Sequence, residues 1–83
     1  MPTAYFLVNT KMKHELDVIN KIKSILSQTQ LPHEVQGVFG VYDIVSKITA
    51  TTDEELRNIV LEKLRKIEHI ESAITMMVNE GSK

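Results

Sequence analysis

The stretch Val38-Phe39-Gly40-Val41-Tyr42-Asp43-Ile44-Val45 decides how this chain is read. Two apolar runs meet at Gly40, and the carboxylate of Asp43 follows almost at once. Val38, Phe39, Ile44 and Val45 favour strands, because branched and aromatic side chains fit a half-buried pleated surface. A glycine between two such runs signals a turn or a bulge, since Gly enters positive φ without a Cβ clash. Asp43 stands where a buried strand would carry Val or Ile. It has two readings. It is either a turn residue that bonds nearby backbone amides, or an acceptor held at a turn where the ammonium group of a ligand could sit.

Working outward, Ala4-Tyr5-Phe6-Leu7-Val8 is apolar in both of its alternating sets. A strand apolar on both faces is covered on both faces, so it belongs in the middle of a sheet. From about Lys13 to Gln28 the period changes. Val18, Ile19, Ile22, Ile25 and Leu26 fall at helical spacing, with Lys13, Glu15, Asp17, Lys21 and Lys23 mostly off that stripe. Pro32 bounds this helix, because the residue before a proline is pushed out of the α region. His33 to Phe39 reads as a weaker strand carrying Glu34, Gln36 and Gly37, with Pro32 at its start. Proline is tolerated at a strand start or on an edge, which places this strand at the sheet edge. Tyr42 to Ala50 is the stronger strand and belongs inside.

Thr52-Asp53-Glu54-Glu55 predicts a capping box, with the Thr52 hydroxyl accepting from the third helical amide and Glu55 reaching back to the Thr52 amide. Leu56, Ile59, Val60, Leu64 and Ile67 then form an apolar stripe, and Lys63, Arg65 and Lys66 suit the C-terminal end of the helix dipole. Glu71 to Val78 is the last strand, with Ile74, Met76 and Val78 on one face and Ala73, Thr75 and Met77 on the other. Glu80-Gly81-Ser82-Lys83 is expected to fray.

The order strand, helix, strand, strand, helix, strand predicts an α+β fold of the ferredoxin-like βαββαβ plan. It is a four-stranded antiparallel sheet with two helices on one face. Residues 1–83 form a single domain. The second sets of the outer strands are read as apolar too, and an apolar sheet face of that size does not stay in water. Dimerisation through the sheet, open face against open face, follows.

Composition points the same way. A chain of 83 residues buries only about 60% of its unfolded surface. Such domains add disulfides, a metal or self-association. There is no cysteine. His14, His33 and His69 are isolated, show no ligand spacing and read as surface residues, so neither a metal nor a cofactor is expected. Self-association remains. The formal net charge is -1 with both signs mixed along the chain, which argues against direct nucleic-acid binding. No apolar run has the length of a membrane span and no signal sequence is visible, so a cytoplasmic protein is expected.

With this order in place, Gly40-Val41-Tyr42-Asp43-Ile44-Val45-Ser46-Lys47-Ile48 resembles the G-x-Y-D strand of the Lrp/AsnC effector domain, also called the RAM domain. Ala4-Tyr5-Phe6-Leu7-Val8-Asn9-Thr10 is similar to that family's first strand, and Ile70-Glu71-Ser72-Ala73-Ile74-Thr75 to its last. The resemblance implies a small amino-acid effector bound between subunits, and a dimer that assembles further into an octamer or decamer. It also implies an indirect action on transcription, through assembly with full-length Lrp/AsnC regulators. Carried over, Gly40 gives the backbone approach at the middle turn. Asp43 holds the amino group of the ligand or orders the loop that does, and Tyr42 flanks it. Ser72 and Thr75 offer hydroxyls or backbone amides to the carboxylate. Each also has a packing role: Tyr42 as a half-buried strand residue, Ser72 and Thr75 as the start of a strand.

Three departures stand out. Glu68-His69 occupies the place where the family often has Pro-Gly. Ala73 follows the serine where a Thr is common, and Pro32 starts the second strand. The helix-turn-helix domain that precedes this module in full-length regulators is not in the sequence, and a stand-alone effector domain is the expectation. The alternative is a small dimeric ferredoxin-like-barrel enzyme of monooxygenase or isomerase type. That needs a general acid or base in an apolar cavity, and His14 and His33 fall at loop or edge positions with no adjacent nucleophile. No catalytic residue is assigned.

Overall fold

The computed structural model describes residues 2–78. The first strand, β1, spans Thr3–Thr10, with Ala4, Phe6, Val8 and Thr10 buried and the alternate side chains half-buried. Burial on both faces is what a continuous apolar run requires. Helix α1, Glu15–Thr29, buries Val18, Ile22 and Leu26. It closes before Pro32 by its own chemistry. Gln30 turns left-handed (φ 61°), while the Thr29 hydroxyl donates to the Leu26 carbonyl at 2.6 Å and accepts from the Leu31 amide at 3.2 Å.

Strands β2, His33–Gly37, and β3, Ile44–Thr49, are both shorter than their apolar runs. Val38, Phe39, Tyr42 and Asp43 belong to the loop between them. The reason is a bond across the loop base, from the Val38 amide to the Asp43 carbonyl at 2.8 Å. It leaves Phe39-Gly40-Val41 outside the ladder.

Helix α2 starts at Asp53–Arg57, and the Thr52 hydroxyl accepts from the Glu55 amide at 3.1 Å, as the cap requires. The other half of the expected capping box is different. The Glu55 carboxylate accepts from the Thr51 amide at 3.1 Å and the Thr51 hydroxyl at 2.7 Å, not from the Thr52 amide. Thr51 donates both its amide and its hydroxyl to one carboxylate oxygen, while the Thr52 hydroxyl accepts from the Glu55 amide. Beyond Arg57 the helix widens into a π turn, Asn58–Lys63, with the Leu64 amide reaching the Ile59 carbonyl, and tightens to a 3-10 turn at Leu64–Lys66. Leu56, Val60 and Leu64 are all buried. Residues four apart overshoot a 3.6-residue turn, and one wider turn absorbs the overshoot and keeps the three in line.

The last strand is β4, Ile70–Met77. Its register shifts where Asn9 pairs with Ser72 but Thr10 with Ile70, leaving Glu71 as the extra residue. The strand order is β2-β3-β1-β4 and every pairing is antiparallel, so β1 and β3 are central and β2 and β4 are edges. This is the ferredoxin-like plan. Val18, Ile22 and Leu26 of α1 join Leu56, Val60 and Leu64 in one core with Ala4, Phe6, Val8, Ile44 and Ile48, so both helices cover the same sheet face.

The opposite face divides in two. Tyr5 and Leu7 of β1 pair with Met76 and Ile74 of β4; Ile74 and Met76 are 46% and 49% exposed. On the other side Lys47 of β3 lies between Tyr5 and Glu34 of β2, and Gln36 pairs with Val45. The expectation of apolar second sets on both outer strands therefore holds for β4 and fails for β2, whose outward positions are Glu34 and Gln36. The Glu80–Lys83 tail lies outside the described residues. Among those residues no helix is long and apolar enough to cross a membrane.

Candidate functional site

The loop between β2 and β3 meets the end of β1, and Asp43 makes the junction. Its amide donates to the Val8 carbonyl at 3.0 Å. Its Oδ2 accepts from the Thr10 amide at 2.9 Å and lies 3.4 Å from the Thr10 hydroxyl. The carboxylate therefore bonds a backbone amide, but one from a distant strand rather than from its own turn. With the Val38 bond, the loop base is held at both ends while its tip projects. Phe39 is fully exposed, Val41 is 81% exposed, and Gly40 between them has φ 134°. A Cβ on Gly40 would meet nothing within 4 Å, so glycine is needed here for its backbone conformation and not for space.

Tyr42 sits half-buried between this tip and Asp43. Ser72 is exposed on β4, and its hydroxyl accepts from Asn9 Nδ2 at 3.4 Å. Because β1 lies between β3 and β4, Asp43 and Ser72 flank the same end of β1 from opposite sides, two strand spacings or roughly 10 Å apart. Thr75 goes elsewhere. It pairs with Phe6 on the helix-covered face, and its Oγ1 is buried with no hydrogen-bond partner. Strand alternation puts Ser72 on the open face and Thr75 in the core, so their hydroxyls do not converge.

The sequence reading missed two features, the role of Thr10 and the pairing of His14 with His69. Thr10 is the partner of Asp43, and its signal is a polar residue continuing the buried Ala4, Phe6, Val8 set at the strand end. His14 and His69 are not independent surface residues; their rings stack at 3.7 Å. Nothing in their spacing announces that, since they are brought together only by the sheet.

Within one chain the loop end is an open surface. Depressions of about 440 Å³ and 410 Å³ lie elsewhere, the first lined by Asp17, Lys21, Lys66, Ile67, Glu68 and His69, the second between Thr29 and Lys63 along α2. Among the described residues no group of three or more His, Asp or Glu is placed to hold a metal.

No family model and no curated protein sequence matches this chain. Solved structures do. FFRP-DM1 is 29% identical with a TM-score of 0.77, over 95% of this chain and 100% of that one. The transcriptional regulator NMB0573 from Neisseria meningitidis, solved as its L-Met complex, is 14% identical with a TM-score of 0.69, over 99% of this chain and 52% of that one. AsnC from E. coli is 19% identical with a TM-score of 0.57, over 99% and 53%. This chain thus spans the full length of FFRP-DM1 and about half of the two regulators. What it shares with those two is the ferredoxin-like fold.

Proposed function

We propose that this chain is a regulatory module that binds a small amino acid between copies of itself and acts on transcription through assembly, as an isolated effector domain or together with full-length Lrp/AsnC regulators. The observation that carries this is the β2–β3 loop. Its base is fixed by Asp43, its apolar tip stands in solvent, and one chain supplies no second wall around it. A site of this form is completed by a neighbour. NMB0573, which shares the fold, was solved with L-Met, and this supports an amino acid as the class of ligand.

In this reading Asp43 has its second role, ordering the loop that receives the ligand, since one oxygen is already engaged by Thr10. Gly40 and Tyr42 present backbone and ring beside it. Ser72, across β1, is the candidate for the carboxylate end. Thr75 contributes packing or its backbone rather than its hydroxyl. Self-association begins with the apolar β1–β4 half of the open face, covered by a second copy, and the loop ends meet between such dimers. The enzyme alternative gains no support from the histidines: His14 and His69 are stacked on each other, and His33 Nδ1 donates to the Leu31 carbonyl at 2.7 Å.

The test is calorimetric titration of the assembled protein with a panel of the common amino acids. Saturable heat from one or a few of them, lost in Gly40→Val, is the expected result. A folded oligomer that takes up no member of the panel overturns the proposal.

A further inference from the structure

His14 and His69 come from different connections at one end of the molecule. His14 ends the turn between β1 and α1; His69 ends the turn between α2 and β4. Their rings are parallel within 5° at a centroid separation of 3.7 Å, and both side chains are a little over a third exposed. Each ring has a carboxylate at its edge. His14 Nδ1 is 3.2 Å from Asp17 Oδ2, and His69 Nε2 is 3.9 Å from Glu68 Oε2. Beneath the rings the same two turns share a backbone bond, from the Lys11 amide to the His69 carbonyl at 2.8 Å. Lys13 and His69 both have φ 71°, a left-handed conformation that non-glycine residues hold only when their surroundings impose it.

We propose that the His14–His69 stack is a pH-operated latch, which ties the two turns together while at most one ring is charged and releases them when both are. Two neutral imidazoles, or one neutral and one protonated, stack without charge repulsion. A second proton places two like charges about 4 Å apart. Even at the dielectric of bulk water that separation costs a factor of about five in the closed population, and more where water is partly excluded. The other charged groups near the pair carry both signs: Glu15 follows His14, and Glu71 lies two residues past His69. Lys21 of α1 and Lys66 line the same cleft as His69, and Lys11 and Lys13 lie in the His14 turn. Histidine is the side chain that changes charge across mildly acidic pH.

Opening the latch frees the Lys11 amide, next to Thr10, whose amide and hydroxyl face Asp43. The latch thus makes the β1 end, and the loop it anchors, sensitive to acid. It stands on the stacked rings and does not depend on any effector.

Amide hydrogen exchange of the whole chain, followed by NMR, tests it without ligand. Lys11 is compared with Phe6, in the buried middle of β1, at about pH 7.5 and about pH 5.5, after correction for intrinsic rates. Lys11 protection is expected to fall by about fivefold or more relative to Phe6 on acidification. In His14→Phe, which keeps a ring on His69 but removes one charge, the ratio stays constant. Contacts between the two imidazoles, read as nuclear Overhauser effects in the unmutated chain, disappear over the same range. A Lys11-to-Phe6 ratio that is flat in the unmutated chain overturns the latch. So does a ratio that still falls in His14→Phe, or ring contacts that persist at the acidic end.

Discussion

At the scale of single residues, Asp43 shows how one carboxylate fixes a loop. Its oxygen accepts from the Thr10 amide at 2.9 Å, across thirty-odd residues of chain. A hydrogen bond to a charged acceptor contributes about 1.5–3 kcal/mol, and partial exposure lowers that. Asp43→Ala is expected to destabilise the fold by about 1–2 kcal/mol in urea unfolding, because the amide of buried Thr10 loses its partner. Asp43→Asn, which keeps an oxygen in place, is expected to lose less than half of that. Ser46 and Thr75 behave in the opposite way. Both pair with Phe6, from β3 and β4, and both hydroxyls are buried without a partner. They leave room for the ring at the expense of two unsatisfied groups. Thr75→Val preserves the shape and removes one, so it is expected to raise stability by up to about 1 kcal/mol, read from the urea midpoint. A loss of stability in Thr75→Val means the hydroxyl has a role the static structure does not show. At this scale the sequence was partly legible. The oddness of Asp43 was visible, but its partner was not, because hydrogen bonds between distant strands depend on register. Thr75 was read from its position near the start of the last strand, and only the pairing with Phe6 puts it in the core.

At the scale of elements, periodicity carried most of the fold. Alternation and continuous apolar runs located the strands, and the change to helical spacing located α1. Boundaries were less legible. Val38 and Phe39 have strand-favouring side chains, yet the bond from Val38 to the Asp43 carbonyl ends the ladder, and no propensity outweighs that. The π turn in α2 was also hidden, since its apolar positions fit an ordinary helix nearly as well. The start of α2 offers a sharper test. Hydrogen bonds from the Thr51 hydroxyl, then from the Thr51 amide, hold the Glu55 carboxyl below the ordinary carboxylate range, with a small opposing contribution from burial. A lowered folded-state value means this group adds stability above its unfolded value and loses that contribution as pH falls through its folded one. The pH dependence of stability in the acid range is therefore expected to be shallower in Glu55→Gln than in the unmutated chain, measured by urea unfolding at a series of pH values. Thr52→Ala removes the cap itself and is expected to cost about 1 kcal/mol at every pH. If the two substitutions give identical pH profiles, the carboxylate is not the source of the slope.

At the scale of the whole molecule, the large exposed apolar side chains among the described residues form two sets. Ile74, Met76, Met77 and Val78 belong to β4 and its extension, while Met12, Leu16, Phe39 and Val41 belong to the loop end. Leu16 lies one helical turn from Ile19, whose Cδ1 is 3.8 Å from where a Cβ on Gly37 would be, which sets Leu16 near the base of the β2–β3 loop, whose tip carries Phe39 and Val41. Composition had already pointed to self-association, but it could not show that the open face is apolar over only one half, because that follows from which strand sits beside which. The division has a mechanical consequence. In the proposed assembly, a twin seated on the β1–β4 half is related by a two-fold axis and closes on itself. The loop ends then remain free to join one dimer to the next. Substitutions in the two sets are expected to act at different levels. Ile74→Lys places a charge in the first contact twice per dimer, against about 1.5–3 kcal/mol of apolar burial lost per side chain, and is expected to give monomers. Phe39→Ser with Val41→Ser leaves that face intact and is expected to stop assembly at the dimer. Sedimentation velocity at micromolar concentration distinguishes the two. If the loop variant yields monomers and Ile74→Lys leaves the assembly whole, the order of contacts is reversed: the loop end is then the primary interface, and the effector seam proposed there lies within the dimer instead of between dimers.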